Sequence, residues 1–248
     1  MQISRRDFLS VTGTAVTLFA FRRVELIALD SEPKFDVDCA LLDLGTNCSL
    51  RESLQGYQAA LASKHQQLLP AELNALSRCR VAIVPGVGMI DATLASVLSG
   101  LLQSGSTLLL ECGAGFLNQS EFASYQGMLH QYFDITIDRP VELWSRSAYG
   151  APRKPPPAQH PRNKPDHRQA VPYVHYRWPS EARVRDFSRA IPVSAPAGNA
   201  IGKIGDLRVA WKRRLGKGIL IFLGSPMGPA LLANDCDARN WLHSVMVL

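Results

Sequence analysis

Three runs of this chain are apolar along nearly their whole length: Val37 to Leu44, Cys79 to Val84 and Thr107 to Cys112. Each has the length of a strand and none alternates, which is the pattern of strands buried on both faces. Between them, apolar residues recur at helical spacing. Leu50, Leu54, Tyr57 and Leu61 follow the first run, and Ser49 with Glu52 three residues on predicts a capping box. Pro70 predicts the opening of a short helix over Ala71 to Leu76. Leu94, Val97, Leu98, Leu101 and Leu102 mark one face of a helix capped by Asp91 and ended by Gly105. Asn118 to Phe133 reads as another amphipathic helix, and Ile135 to Trp144 as one or two short strands.

Near the end of the chain, Leu207 to Arg214, a Gly216-Lys217-Gly218 turn and Ile219 to Leu223 predict a hairpin. Its first arm places Val209 and Trp211 on one face, and its second arm is apolar enough for the interior of a sheet. Asp237 to Met246 reads as a closing helix. This alternation of strand and helix predicts an α/β fold, a flavodoxin-like three-layer sandwich with a mostly parallel central sheet and a C-terminal β-hairpin.

Composition changes this picture at two places. The chain has 248 residues, 46% hydrophobic and 19% charged, with a formal net charge of +6, which suits one sizeable globular domain. Ahead of it, Ser4-Arg5-Arg6-Asp7-Phe8-Leu9 matches the twin-arginine export pattern, and the apolar block Val11 to Phe21 is too short to span a bilayer but suits a signal segment. Residues 1–30 are thus expected to engage the twin-arginine translocase and lead to a periplasmic or other extracytoplasmic location. With no clean cleavage site, the segment could stay as a membrane tether. Residues 35–248 form the domain. Within it, Gly150 to Ala170 carries six prolines among basic residues, an extended surface insertion. The five cysteines (39, 48, 79, 112, 236) are scattered. They imply no disulfide framework, although Cys48 and Cys112 both follow strand ends and could pair in an oxidising compartment.

Candidate chemistry gathers where the apolar runs stop, since ligands in α/β sheets collect at the carboxyl ends of strands. Four turns qualify. They are Gly45-Thr46-Asn47, Gly86-Val87-Gly88, Glu111-Cys112-Gly113 and the turn at Ser225. Cys112 is the candidate nucleophile, because a thiol on a strand-to-helix turn is one way to present one. Glu111 has a plainer reading as a carboxylate satisfying backbone donors. No histidine or cysteine pair has metal-ligand spacing, and Gly86-x-Gly88 lacks the third glycine of a dinucleotide loop, so no metal or cofactor is expected.

These turns resemble the class I glutamine amidotransferase-like superfamily, over roughly Phe35 to Leu248. Val84-Pro85-Gly86-Val87-Gly88 is similar to its oxyanion-hole turn, and Leu110-Glu111-Cys112-Gly113-Ala114 falls at its nucleophile turn. Ser225-Pro226-Met227 stands where active members have His-Pro-Glu. Because Ser225 and Met227 replace the base and its orienting acid, the resemblance implies the non-catalytic type. The expectation is an exported ligand-binding or interaction domain for a small molecule, a carbohydrate or another cell-envelope component, with no specific nucleic acid. The alternative is a cysteine-dependent hydrolase or amidotransferase acting through Cys112, with His175 or His243 as a substitute base.

Overall fold

Strands form where the apolar runs lie, and further strands follow that the pattern does not announce. The protein is described by a computed structural model at residues 35, 37–45, 50–62, 64–69, 72, 79–113, 115–116, 118–142, 172–187 and 189–248. The export motif, the predicted helix over 71–76 and the Pro-rich insertion lie outside the described residues.

In chain order the elements are β1 (Val37–Leu42), α1 (Arg51–Leu61), β2 (Gln66–Leu68), β3 (Cys79–Val87), α2 (Ala92–Ser104), β4 (Thr107–Cys112) and α3 (Gln119–Phe133). Six short strands follow: β5 (Thr136–Ile137), β6 (Val141–Glu142), β7 (Tyr173–Tyr176), β8 (Ala182–Arg185), β9 (Arg189–Ala190) and β10 (Val193–Ser194). The chain closes with β11 (Asn199–Ile204), β12 (Leu207–Leu215), β13 (Gly218–Leu223), α4 (Gly228–Leu232) and α5 (Cys236–Met246).

Nine strands form one sheet in the order β2-β1-β3-β4-β13-β12-β11-β7-β8, while β5 with β10 and β6 with β9 make two small pairs. The pairings β2/β1, β1/β3, β3/β4 and β4/β13 are parallel. Those of β13/β12, β12/β11, β11/β7 and β7/β8 are antiparallel. The expectation of a flavodoxin-like, mostly parallel sheet is therefore corrected: the sheet is mixed, half antiparallel, and β13 is the strand where it changes. The cause is local. β7 and β8 are short, and they and β11 interleave apolar residues with basic ones, so they lack the continuous apolar runs that mark the parallel strands.

Two apolar layers flank the sheet. Ala40, Leu42, Leu108, Leu110 and Phe222 face one side and pack with Leu98 and Leu101 of α2 and with Tyr125 and Phe133 of α3. Cys39, Leu41, Leu109 and Ile221 face the other, under Tyr57 of α1, Leu231 of α4 and Trp241 of α5. Full burial of each large side chain contributes about 1.5–3 kcal/mol.

The helix signals have mixed outcomes. Asp91 Oδ1 accepts the Leu94 N–H at 2.7 Å and Gly105 ends α2 with φ 107°. Asn118 caps α3 and Asp235 caps α5 in the same way. For α1 the cap position is Leu50, with no side-chain cap, and Ser49, the expected partner of Glu52, lies outside the described residues. The buried face of α1 carries Ser53 and Gly56 beside Tyr57 and Leu61, because α1 and α4 approach backbone to backbone. A Cβ on Gly56 would run into the Gly228 carbonyl, and one on Gly228 into Ser53.

The hairpin of β12 and β13 forms with β13 in the interior, but Val209 and Trp211 belong to opposite cores. The register of β11 against β12 shifts twice, between Ala200 and Gly202 and between Gly202 and Lys203. Such bulges reset the alternation of a strand. Here the two shifts cancel, so Lys203 faces Arg208 in the register set by Asn199 and Lys212, while Ile201, Val209 and Ala210 lie together on the side of α5.

Candidate functional site

The corner predicted as the site is built from the end of β4. Glu111 and Cys112 are its last residues, and both are fully buried. The Glu111 carboxylate accepts a very short hydrogen bond from the Ser53 hydroxyl and one from the Tyr57 hydroxyl at 2.7 Å. It also accepts the Met227 and Gly228 N–H groups at 2.9 and 3.1 Å. It thus clamps α1 to the start of α4. Burial raises the Glu111 pKa above the ordinary carboxylate value, and the hydrogen bonds from Ser53, Tyr57, Met227 and Gly228 work against that rise.

Cys112 stands on the other side of the sheet from Glu111, as strand alternation requires. Its thiol donates to the Gly113 carbonyl at 3.4 Å. Burial pushes it up to about 12, the Tyr125 hydroxyl tempers the rise, and Glu111 adds to it. A thiol held that far above neutrality is not a nucleophile, since the thiolate is the reactive form. Neither substitute base is near. His175 pairs with Lys203 in the antiparallel half, across β13, β12 and β11 from β4. His243 lines a pocket with Asp38 and Arg80 at the opposite end of the sheet. Cys112 is a free thiol, and its expected partner Cys48 lies outside the described residues.

Two of the other predicted turns, at Gly86 to Gly88 and at Ser225, are equally closed. Gly86, Val87 and Gly88 are buried, and β3 runs on through Val87, whose carbonyl accepts the Gly113 N–H at 2.6 Å. Gly45 is exposed and donates to Asp43 at 2.9 Å. Thr46 and Asn47 lie outside the described residues. Ser225 is buried and donates to Asp186 at 2.7 Å, and Met227 is buried as well. The structure brings Glu111, Met227 and Gly228 together, and it does so as a structural clamp. Among the described residues no cluster of potential metal ligands occurs and no helix is long and apolar enough to cross a membrane.

An open concavity lies elsewhere, on the antiparallel half. A cleft of about 810 Å³ is lined by residues that include His175, Arg177, Glu181, Arg183, Lys203 and Arg208. Strand registry sets four of them in one row across four strands: Arg208 of β12 faces Lys203 of β11, which faces His175 of β7, which faces Arg183 of β8. All four are exposed. The inner faces of the same strands carry Val174, Tyr176 and Val184 against α5, with the Tyr176 and Trp241 rings 4.7 Å apart. This is an antiparallel sheet with one face buried and one wet. The aromatic residues that line the cleft, Tyr176 and Trp211, are buried, and Arg183 lies 4.1 Å from the Tyr173 ring centre on the neighbouring strand. Of the carboxylates, Asp237 Oδ2 accepts the Arg183 N–H at 3.0 Å and so closes the edge of β8. The signal for this site was the alternation of apolar and basic residues in Tyr173 to Tyr176 and Ala182 to Arg185.

No family model matches the chain, and no curated protein does. Solved structures do. A β-galactosidase from Bacillus circulans sp. alkalophilus superposes with a TM-score of 0.55 at 14% identity, over 84% of this chain and 31% of that one. An exo-β-1,4-mannosidase from Opitutaceae bacterium strain TAV5 gives 0.54 at 10% identity, over 84% and 36%. An α-L-fucosidase isoenzyme 2 from Paenibacillus thiaminolyticus gives 0.52 at 11% identity, over 85% and 32%. The fold is one that glycoside hydrolases carry. The chain spans about a third of the length of these proteins. With the closed corner at Cys112, these neighbours overturn the expectation of an amidotransferase-like module, whether silent or catalytic through Cys112.

Proposed function

We propose that this chain is a carbohydrate-active protein of glycoside processing, and that it holds its glycan in the cleft on the antiparallel half of the sheet. One observation carries the reading: the same fold recurs in hydrolases of galactosides, mannosides and fucosides. At these identities the likeness concerns fold, so the sugar itself is not inherited from any of them. The cleft supports the placement because it is the open concave surface rich in hydrogen-bonding side chains, whereas the strand-end corner is filled. Hydrolysis of a glycosidic bond needs two carboxyl groups flanking it. Glu181 and Asp237 are the carboxylates of the cleft, and Asp237 is already committed to the β8 edge.

The test pairs turnover with binding. The protein is offered aryl galactosides, mannosides and fucosides and a panel of oligosaccharides, with aglycone release and shifts in backbone amide resonances as readouts. Release, or shifts confined to β7, β8 and β11, supports the reading. Neither release nor any glycan-dependent shift would end it. Export through the twin-arginine route belongs to the same proposal, and Arg5→Lys with Arg6→Lys should hold the protein in the cytoplasm. Unchanged export of that variant would show that the motif is not used.

A further inference from the structure

We infer that the cleft selects anionic glycans, chains whose sugars bear carboxylate or sulfate groups, by means of the row Arg208, Lys203, His175 and Arg183. This rests on the carbohydrate reading above and deepens it. Like charges directly opposite one another on neighbouring strands are destabilising. Here Lys203 and Arg208 set two permanent cations against each other, and His175 stands between Lys203 and Arg183. Among the described residues none of the four forms an ion pair. Lys203 and Arg208 are opposed by the pairing of β11 with β12, in the same register that sets Asn199 against Lys212, so the arrangement is fixed by the backbone.

The charge of the whole cleft agrees. Arg177, Arg183, Lys203 and Arg208 stand against Glu181 and Asp237, so permanent cations outnumber carboxylates before His175 is counted. Asp206, in the turn between β11 and β12, is a further exposed carboxylate beside the row. Neighbouring strands lie about 4.8 Å apart, so the row spans roughly 14 Å, with permanent cations on three of its four strands. An extended polymer lying across the strands, carrying a negative group on each sugar, meets one cation after another. Single-stranded nucleic acid is bound by stacking bases on free aromatic faces as well as by charge. The two rings among the residues that line the cleft, Tyr176 and Trp211, are both buried and offer no open face. Charge complementarity without a stacking platform favours the glycan.

The test uses polygalacturonate and the same polymer fully methyl-esterified, with binding followed by affinity electrophoresis and calorimetry on the full chain. Polygalacturonate should bind and the ester should not. Binding should weaken about tenfold between about 50 and 200 mM salt, as counterion release requires. The double variant Lys203→Ser, Arg208→Ser should lose about tenfold in affinity at low salt, while Arg214→Ser, on the same strand outside the row, should lose none. His175→Gln gives a second, milder variant that keeps the strand intact. Equal binding of the ester would overturn the charge selection and leave the carbohydrate reading standing. Failure of both polymers, with neutral oligosaccharides binding in the panel above, would do the same. Tighter binding of a single-stranded oligonucleotide than of polygalacturonate would transfer the surface to nucleic acid and overturn the inference.

Discussion

The two halves of the sheet treat charge in opposite ways. In the parallel half, Glu111 is sealed from solvent and surrounded by four donors that leave its carboxylate no free direction. In the antiparallel half, basic side chains face one another across strands and stay in water. The first is a charge used to hold elements together, and the second is a set of charges the fold tolerates at a cost. A strand-end carboxylate beside a cysteine invites a catalytic reading, yet its full satisfaction argues for architecture. The basic row invites a reading as ordinary solvated surface, yet its mutual opposition argues for use. The lesson is that an unsatisfied arrangement, more than a residue type, marks a surface kept for a ligand.

Breaking the buried side should produce the largest effect. Glu111→Ala leaves two hydroxyls and two backbone N–H groups without acceptors, and each unsatisfied buried donor costs about 1–3 kcal/mol. We expect the loss to reach about 4 kcal/mol in urea denaturation, an exceptional value for one side chain. A loss under about 1 kcal/mol would show that Glu111 does not clamp α1 to α4. The sign of the pH dependence follows from its raised pKa. Stability from a group whose folded pKa lies above the unfolded value of about 4.3 is fully present below that pH. It falls as pH rises through the folded value. Glu111→Gln should abolish that fall, and persistence of the fall in the variant would assign it to another group.

The thiol beside it gives the next effect. With Cys112 pushed up to about 12 and fully buried, alkylation of the native protein at neutral pH should spare it and modify the exposed Cys236. The difference in rate should be about a hundredfold or more by mass spectrometry, because reactivity follows thiolate fraction and access. In urea the two should label alike. The raised value also means that the stability tied to this thiol is present below the unfolded cysteine value of about 8.5 and is lost as pH climbs toward the folded one. Cys112→Ser should soften that alkaline loss. Rapid native labelling of Cys112 would restore the nucleophile that its burial denies.

What the sequence disclosed follows the same division. β1, β3 and β4 are legible because strands buried on both faces are apolar throughout, and α2 because Asp91 and Gly105 bracket it with local chemistry. β7, β8 and β11 are not, because the half-buried strand pattern is short there and the register shifts of β11 against β12 break its period. The fold class failed for that reason alone. At the corner, the positions of Glu111, Cys112 and Ser225 were legible as strand ends. Their environment was not. Nothing local to Ser53 or Tyr57 says that their hydroxyls meet Glu111 more than fifty residues later, or that α4 folds the Met227 and Gly228 N–H groups onto it. The plain reading of Glu111 as a satisfier of backbone donors describes the geometry found, with two side-chain hydroxyls added. The basic row needs strand registry to be seen at all, since Arg183, His175, Lys203 and Arg208 are scattered over 34 positions of chain.

The smallest effect tests the exposed side and has the opposite sign. If Lys203 is held opposite Arg208 against its repulsion, removing its charge should stabilise the protein. Cross-strand charge pairs are worth about 0.2–1 kcal/mol, and Lys203→Gln keeps most of the side chain while deleting the charge. We expect about 0.5 kcal/mol of added stability at low salt. The gain should vanish near 1 M salt, where the screening length falls to about 3 Å. Saturating polygalacturonate should reverse the order, because a ligand stabilises the folded state in proportion to its affinity and the wild type binds it more tightly. A variant less stable than the wild type at low salt would mean that Lys203 contributes packing and the row stores no repulsion. The two halves of the sheet would then no longer differ in how they bear their charge, and the case for a kept anion surface would lose its physical ground.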